Sequence, residues 1–422
     1  MNGALFLFVG LIVVLFLGVP IGFSLMLVTA ATFYFFTDVD LILCAQTSVT
    51  GLDSFPILAV PFFMLAGVLM GRGGVAKRLV NVAQCCVGHL VGGLAMVTTV
   101  ACMFFGAISG SAVATVSSIG GFMIPEMKRC GYKEEFSAAV AACAGTIGIV
   151  IPPSLSLVIY GVVTNTSIGD LFIADIVPGV LMTLIMCIIS YRICKKEGFP
   201  VAEKQPIKNL FPVLWDAKWA LITPIIILGG IYSGFFTPTE AAVVACVYSI
   251  IVGLFIYREM TWKDLWDGLI EAMKLNGLTM FMVGTATAFA KYLSFAQIPT
   301  LVTSMIMRMT QSKILILLVM NAILLFLGCL CENIVIITIL APIFLPLAMA
   351  CGLTPIQFGI MISFNTTIGL ITPPYGADLF VATAISGVKM ERMLKYVIPY
   401  LVGLLLLLAL ITYFPGISTF ML

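Results

Sequence analysis

Apolar runs near twenty residues long follow one another from end to end of this 422-residue chain, parted by short polar or glycine- and proline-bearing stretches. Runs of that length cross a bilayer as helices. In the first half they cover roughly 4–17, 20–36, 54–71, 93–127, 135–163 and 171–193. In the second they cover roughly 219–235, 238–257, 275–295, 314–346, 357–386 and 396–420. The order matches element for element: the fourth run of each half is interrupted, and the fifth is broken by a Pro-Pro pair. GTIGIVIPPS at 145–154 recurs as TTIGLITPPY at 366–375, setting Pro152-Pro153 and Pro373-Pro374 221 positions apart. Met123-Ile124-Pro125 and Phe344-Leu345-Pro346 keep the same offset. The pattern predicts two repeats, 1–195 and 218–422, joined by a polar cytoplasmic linker at 196–217.

Composition agrees with the bilayer as solvent. Hydrophobic residues make up 61% of the chain and charged residues 9%, which excludes an ordinary soluble protein. The start, MNGALFLFVGLIVVLF, lacks the basic residues and cleavage site of a signal peptide and reads as a first membrane helix. Each half has five full crossings if its interrupted run enters and leaves on one side, and an odd number inverts the second half relative to the first. The positive-inside rule supports this. With both termini outside, 18 of the 21 Lys and Arg residues fall inside, and only Lys291, Arg308 and Lys313 fall outside. The acidic first loop, with Asp38, Asp40 and Asp53, then faces the exterior. The expected fold is an all-α polytopic membrane protein of inverted-topology repeats, with two re-entrant helical hairpins and two broken helices.

The breaks carry the chemistry. A proline inside a helix has no N–H to donate and pushes away the carbonyl four residues earlier. Pro152 and Pro153 release the carbonyls of Gly148 and Ile149; Pro373 and Pro374 release those of Gly369 and Leu370. In lipid an unpaired carbonyl costs several kcal/mol, so it must meet protein, water or a cation. Beyond each break a half-helix begins, near Ser154 or Tyr375, with its positive end suited to an anion. Freed carbonyls for a cation and a helix start for an anion are recurring parts of secondary transporters. A kinked helix packing on its neighbours is the plainer reading of one such motif; two at equivalent positions favour a site.

The hairpins supply the other wall. FFGAISGSAVATVSSIGG, 104–121, carries Ser109-Gly110-Ser111 near its middle, where a chain reversing inside a membrane needs small residues. The Ser109 and Ser111 hydroxyls would join the freed carbonyls in an oxygen-only cage suited to Na+. A single small-residue packing helix is the alternative. In the second hairpin, LGCLCENIVIITILAP, Glu332 stands where the first has Ser111. An intramembrane carboxylate is a functional candidate by default; an ion site, a proton or a neighbouring helix would each explain it. Lys291, in TAFAKYLSF, would receive a substrate carboxylate or snorkel to the interface. WKDLWDGLIEAMK (262–274) and GVAKRLVNVAQCC (74–86) read equally as surface-lying or as connecting helices.

Other chemistry finds little support. Most of the 12 cysteines lie singly in apolar runs with no C-x-x-C pair, and they read as buried thiols. The single histidine, His89, neither builds a metal site nor sits where a Ser–His dyad would need it. An intramembrane enzyme is therefore the remote alternative, and nothing suggests nucleic acid as a partner.

The chain resembles the large membrane subunit (M, DctM-like) of the tripartite ATP-independent periplasmic (TRAP) transporters. The phrases that carry the resemblance are GVPIGFSL at 18–25, FFGAISGSAVATVSSIG at 104–120, GTIGIVIPPS at 145–154, GFFTPTEAA at 234–242 and TTIGLITPPY at 366–375. The resemblance implies an elevator-type carrier in the bacterial inner membrane, with both termini periplasmic. It implies Na+-coupled uptake of an organic acid delivered by a periplasmic substrate-binding protein, with a small Q subunit as a separate chain and no organic cofactor. Carried over, it puts one Na+ site at Ser109, Ser111, Gly148, Ile151 and Pro153, and a second at Gly328, Gly369, Thr372 and Pro374, with Glu332 beside it. Substrate would lie near Thr146, Ser154, Asn365, Thr366 and Tyr375, with Lys291 as a further candidate. The Cys-Leu-Cys-Glu tip departs from the Ser-Gly-Ser tip, so the resemblance leaves the second site's side-chain ligands open. A stand-alone Na+- or H+-coupled anion carrier of the same architecture is the alternative reading.

Overall fold

The structure is a computed structural model describing residues 2–200, 210–374 and 376–422. Its described residues form helices, with no strand among them. In the first half these are α1 (Asn2–Phe16), α2 (Ile21–Phe36), α3 (Ile42–Thr50), α4 (Ala59–Arg72), α5 (Val75–Val87), α6 (Gly93–Ser109), α7 (Ala112–Thr115), α8 (Gly121–Arg129), α9 (Glu134–Gly145), α10 (Ile147–Val150), α11 (Leu155–Thr164) and α12 (Ile168–Glu197). In the second they are α13 (Leu210–Tyr232), α14 (Pro238–Ile251), α15 (Trp262–Phe295), α16 (Ile298–Met309), α17 (Lys313–Gly328), α18 (Asn333–Ala350), α19 (Pro355–Gly369), α20 (Ala377–Ser386), α21 (Met390–Tyr413) and α22 (Gly416–Thr419). Seven helical stretches of the described residues are long and apolar enough to cross a membrane.

Local chemistry sets several boundaries. Thr237 and Thr354 open α14 and α19 with capping boxes closed by Glu240 and Gln357, each with a proline in the first turn. Both sequence breaks are real gaps in helix. The first separates α10 from α11 and the second α19 from α20, and the Pro152-Pro153 and Pro373-Pro374 bonds are both cis. Both interrupted runs are helical hairpins, reversing at Gly110 and at 329–332. The return arm of the first hairpin is itself irregular, with a π-helical turn over Val116–Gly120.

Two readings are corrected. The segment at 262–274 is no separate helix: it is the first part of α15, a continuous helix of 34 residues. At about 1.5 Å per residue α15 outruns the hydrocarbon core by several turns, so its start stands outside with Trp262 and Trp266 exposed. A second difference is α16, which the hydropathy pattern missed because Thr, Ser and Arg punctuate it. It follows the α15 span as α5 follows α4, so the two halves match more closely than the apolar runs alone suggest. The linker also narrows: α12 continues to Glu197 and α13 begins at Leu210, while residues 201–209 lie outside the described residues.

Burial separates centre from periphery. In the most apolar stretch of Glu134–Thr164, 89% of residues are buried, against 22% for Leu210–Tyr232. The first broken helix is therefore the middle of the protein, and α13 is an outer wall. Lipid gives apolar helices no hydrophobic reason to associate, so close packing of small residues does that work. The run Ser137–Gly145, SAAVAACAG, is buried throughout. Around it the halves interlock. The half-helix after the first break, α11, packs on α18 of the second hairpin, and α20, after the second break, packs on α9 and on the return arm of the first hairpin. Helices α1, α2, α4, α14 and α15 pack mainly on one another to one side.

Candidate functional site

The first hairpin tip and the first broken helix meet at backbone distance. The turn at Gly110 has φ +61°, a left-handed conformation that favours glycine. A Cβ at Gly110 would lie 2.6 Å from the Pro153 carbonyl oxygen, while Leu155 N–H donates to the Gly110 carbonyl at 3.4 Å. A Cβ at Gly106 would lie 2.5 Å from the Gly148 Cα. Gly148 in turn faces the Ser111 carbonyl and the Thr115 hydroxyl, with no room for a side chain.

Hydroxyls line this contact. Thr115 Oγ1 donates to the Ser111 carbonyl at 2.7 Å and lies 3.1 Å from Ser109 Oγ. Its one proton is committed to Ser111, so Ser109 donates to Thr115. Ser109 and Thr115 are buried, and Ser111 is half-buried, its hydroxyl capping α7 through Ala114 N–H at 3.4 Å. Ile151, also buried, packs on Gly179 of α12. The structure thus brings Ser109, Ser111, Gly148, Ile151 and Pro153 into one neighbourhood. Thr115 belongs with them and was missed from sequence; its signal was the i+4 spacing from Ser111, which places its hydroxyl over that carbonyl.

The second neighbourhood is built differently. A Cβ at Gly369 would run into the Gly328 carbonyl, so hairpin and broken helix touch here as well. The carbonyls released by the prolines, however, are re-paired: Thr372 N–H donates to Gly369 at 3.0 Å and Asp378 N–H to Leu370 at 3.1 Å. The Thr372 hydroxyl donates to the Ile368 carbonyl at 2.8 Å. Pro374 is exposed where Pro153 is buried. Glu332 is exposed at the tip, and its carboxylate makes no hydrogen bond or ion pair among the described residues. Beside it, Asn333 is buried, accepting from the Ser156 hydroxyl at 3.1 Å and donating to Thr367 Oγ1 at 3.5 Å.

The candidate substrate residues divide. Ser154 is buried and caps α11, accepting from Leu157 N–H at 3.4 Å. Thr146, between α9 and α10, and Thr366, within α19, spend their hydroxyl protons on nearby carbonyls, of Cys143 (2.6 Å) and Ile362 (2.9 Å). Asn365 is held by Asn321 of α17, donating to its Oδ1 at 2.8 Å, and keeps its own Oδ1 unpartnered. Lys291 is exposed on the flank of α15. Tyr375 lies outside the described residues. Sequence reasoning also missed two buried carboxylates, Asp175 in α12 and Asp378 in α20, whose oxygens have no hydrogen-bond partner. The rule that singled out Glu332, a carboxylate in an apolar run, would have found both.

Paired hairpins meeting paired broken helices, with oxygen groups at the contact, define a polytopic membrane carrier, and comparison with known proteins places it. The profile of the "Tripartite ATP-independent periplasmic transporter, DctM component" matches residues 8–417, and the chain belongs to that family. It is 44% identical, over 87% of its length and 86% of the relative's, to the C4-dicarboxylate TRAP transporter large permease protein DctM of Pseudomonas aeruginosa. It is 37% identical to the sialic acid TRAP transporter large permease protein SiaM of Vibrio cholerae, over 98% of this chain and 96% of that one. To the isethionate TRAP transporter permease protein DctMQ of Oleidesulfovibrio alaskensis it is 42% identical over 96% of its length, spanning 64% of that longer protein. Among solved structures, the YdaH transporter of Alcanivorax borkumensis shares the fold, with TM-score 0.64 at 14% identity over 90% of each chain. MtrF of Neisseria gonorrhoeae does so with TM-score 0.60, also at 14% identity, over 88% of this chain and 84% of that one. The chain is thus a multi-pass transporter permease rather than an enzyme.

Proposed function

We propose that the chain is the large subunit of a Na+-coupled importer of an organic acid, working with a small Q subunit and a periplasmic substrate-binding protein in the bacterial inner membrane. The observation that carries the reading is the first hairpin contact. The Thr115 hydroxyl and the Ser111 carbonyl face Gly148, the Ser109 hydroxyl joins Thr115, and the adjoining Gly110 lies against the Pro153 carbonyl, where Pro152 and Pro153 have no N–H to offer the carbonyls before them. Neutral oxygens without a cationic donor suit a hard monovalent cation. The second ion lies at the Gly328–Gly369 contact, with Thr372, Pro374 and Glu332 around it. The acid binds between, its anion toward the Ser154 end of α11 and the start of α20, with Thr146, Asn365 and Thr366 as its wall. Lys291 sits at the membrane boundary.

Orientation follows from the charges. Arg72 pairs with Glu271 at 2.6 Å, Arg78 with Glu259 at 2.7 Å and with Asp216 at 3.2 Å, and Lys133 with Glu197. These bonds join basic residues of the first half to acidic residues at 216, 259 and 271 of the second and at 197, and the positive-inside rule turns this charged side toward the cytoplasm. The two hairpins and two broken helices then move together as an elevator against the outer helices.

Uptake into proteoliposomes holding this chain and a Q-type partner tests the reading. An organic-acid panel is offered with and without an inward Na+ gradient and with and without the binding protein. Accumulation that needs both is the expected result. Na+-driven uptake without the binding protein makes the chain a stand-alone carrier, and uptake indifferent to Na+ overturns the ion assignment.

A further inference from the structure

Asp378 sits in the first turn of α20, the half-helix after the second break, and is 0% exposed. An aspartate there ordinarily turns back to bond the free N–H groups of its own helix. This one does not: neither carboxylate oxygen has a hydrogen-bond partner, and α20 begins without a side-chain cap. Its own N–H is committed to the Leu370 carbonyl at 3.1 Å.

The surroundings say what the carboxylate can hold. Helix α20 packs on α9, α7, the π-helical turn, α8 and α21. The buried thiols of Cys102, on α6, and Cys143, on α9, lie within electrostatic reach of Asp378. Neither α7 nor the π-helical turn carries an ionisable residue. Lys128 and Arg129 of α8 and Arg392 and Lys395 of α21 are exposed. Among the described residues Asp378 therefore has no cation to pair with, and a buried carboxylate without a partner or hydrogen bonds is too costly to keep charged. A sodium ion would need several oxygen ligands; the nearby Leu370 carbonyl already accepts a hydrogen bond, and thiols are poor ligands for a hard ion. A proton needs only the carboxylate.

We propose that Asp378 is a proton-binding site linked to substrate occupancy: it carries a proton while an anion occupies the start of α20, and releases it to water once the anion has left. This inference rests on the reading that the acid binds between the two half-helices. A second negative charge at the same helix start would repel the substrate, whereas a protonated Asp378 leaves the positive helix end to it. One proton is then taken up from the side the substrate enters and released where the substrate is released, in addition to any sodium ion bound at the hairpins.

Two measurements on the chain with its Q-type partner test it. Infrared difference spectra between wild type and Asp378→Asn, recorded across pH, look for the carbonyl stretch of a protonated carboxylic acid. The expected result is a band present in substrate-bound wild type and missing from the variant, with the same band in substrate-free wild type fading as pH rises toward neutrality. A spectrum identical in the two proteins overturns the proposal. Transport at saturating Na+ is the second measurement. The wild-type KM rises about tenfold per pH unit above the titration of Asp378, as linkage to one proton requires, while Asp378→Asn shows a flat profile. A pH-dependent KM retained in Asp378→Asn also overturns it. Asp378→Ser serves in both measurements should the amide variant fail to assemble. If the chain transports no organic acid at all, the infrared band still reports the proton, so failure of the functional reading is distinguishable from failure of this one.

Discussion

The hydroxyl of Ser156, on the half-helix beyond the first break, donates to Oδ1 of Asn333 at the second hairpin tip, 3.1 Å away with both side chains buried. This bond ties the two halves at the level of the proposed site. Ser156→Ala leaves Asn333 Oδ1 unpartnered in the protein interior. Interhelical bonds of this kind contribute roughly 0.5–2 kcal/mol in membranes, so the variant unfolds at lower temperature in detergent. Ser156→Ala combined with Asn333→Val should destabilise by less than the two singles added together, because both remove the same bond. Strict additivity would mean that the bond contributes nothing.

Gly106 and Gly148 touch backbone to backbone, and a methyl group on Gly106 would sit 2.5 Å from the Gly148 Cα. Gly106→Ala must therefore push the hairpin off the broken helix, an overpacking cost of about 1–3 kcal/mol. Gly229→Ala, on the outer α13, meets nothing within 4 Å and is the control. The expectation is that Gly106→Ala loses most Na+-driven uptake while Gly229→Ala keeps it, at equal amounts of assembled protein. Unimpaired uptake by Gly106→Ala would show that the close approach is not needed for function.

Much of this was legible because the decisive features are interruptions. Pro-Pro pairs and a Ser-Gly-Ser tip break apolar runs visibly, and their recurrence 221 positions apart marks the repeat before any packing is known. The failures share a cause: whether a polar residue ends a helix depends on its partner. The polar pattern parts 262–274 from the apolar run at 275–295, yet α15 runs straight through, with Asn276 donating to the Pro61 carbonyl at 3.2 Å. The difference between the two ion neighbourhoods was hidden for the same reason. Nothing in TTIGLITPPY shows that Thr372 and Asp378 return N–H donors to the released carbonyls.

Arg78 is the hub of the charged end. Its guanidinium reaches Glu259 at 2.7 Å and Asp216 at 3.2 Å and lies 3.6 Å from the centre of the Tyr257 ring. Only 13% of its side chain is exposed. A lysine keeps the charge but not the planar fork or the stacking, so Arg78→Lys should behave much like Arg78→Ala. Each is expected to cost about 1 kcal/mol by thermal unfolding, since either loses the stacking on Tyr257 and the guanidinium bonds to the Gly74 carbonyl and to the exposed Glu259 and Asp216. Full stability in Arg78→Lys would reduce the site to simple charge neutralisation.

Thr115 gives the sharpest test of the first ion site, because its hydroxyl does two jobs that a valine of similar shape cannot do. It donates to the Ser111 carbonyl at 2.7 Å and accepts from Ser109, fixing the direction in which the Ser109 lone pairs point. Thr115→Val keeps the packing of the tip and removes both bonds. Ser109 then loses its acceptor and its orientation, and the Ser111 carbonyl loses a donor. A loss of about 1.4 kcal/mol in ion binding corresponds to a tenfold weaker affinity. Thr115→Val should raise the Na+ concentration for half-maximal uptake about tenfold while leaving the rate at saturating Na+ near wild type, and Ser109→Ala should do the same. Such a shift in Na+ dependence, without loss of maximal rate, separates a weakened ion site from a damaged fold. An unchanged Na+ dependence in both variants would remove the hydroxyl cluster from the ion's path and leave the backbone carbonyls to bind it alone.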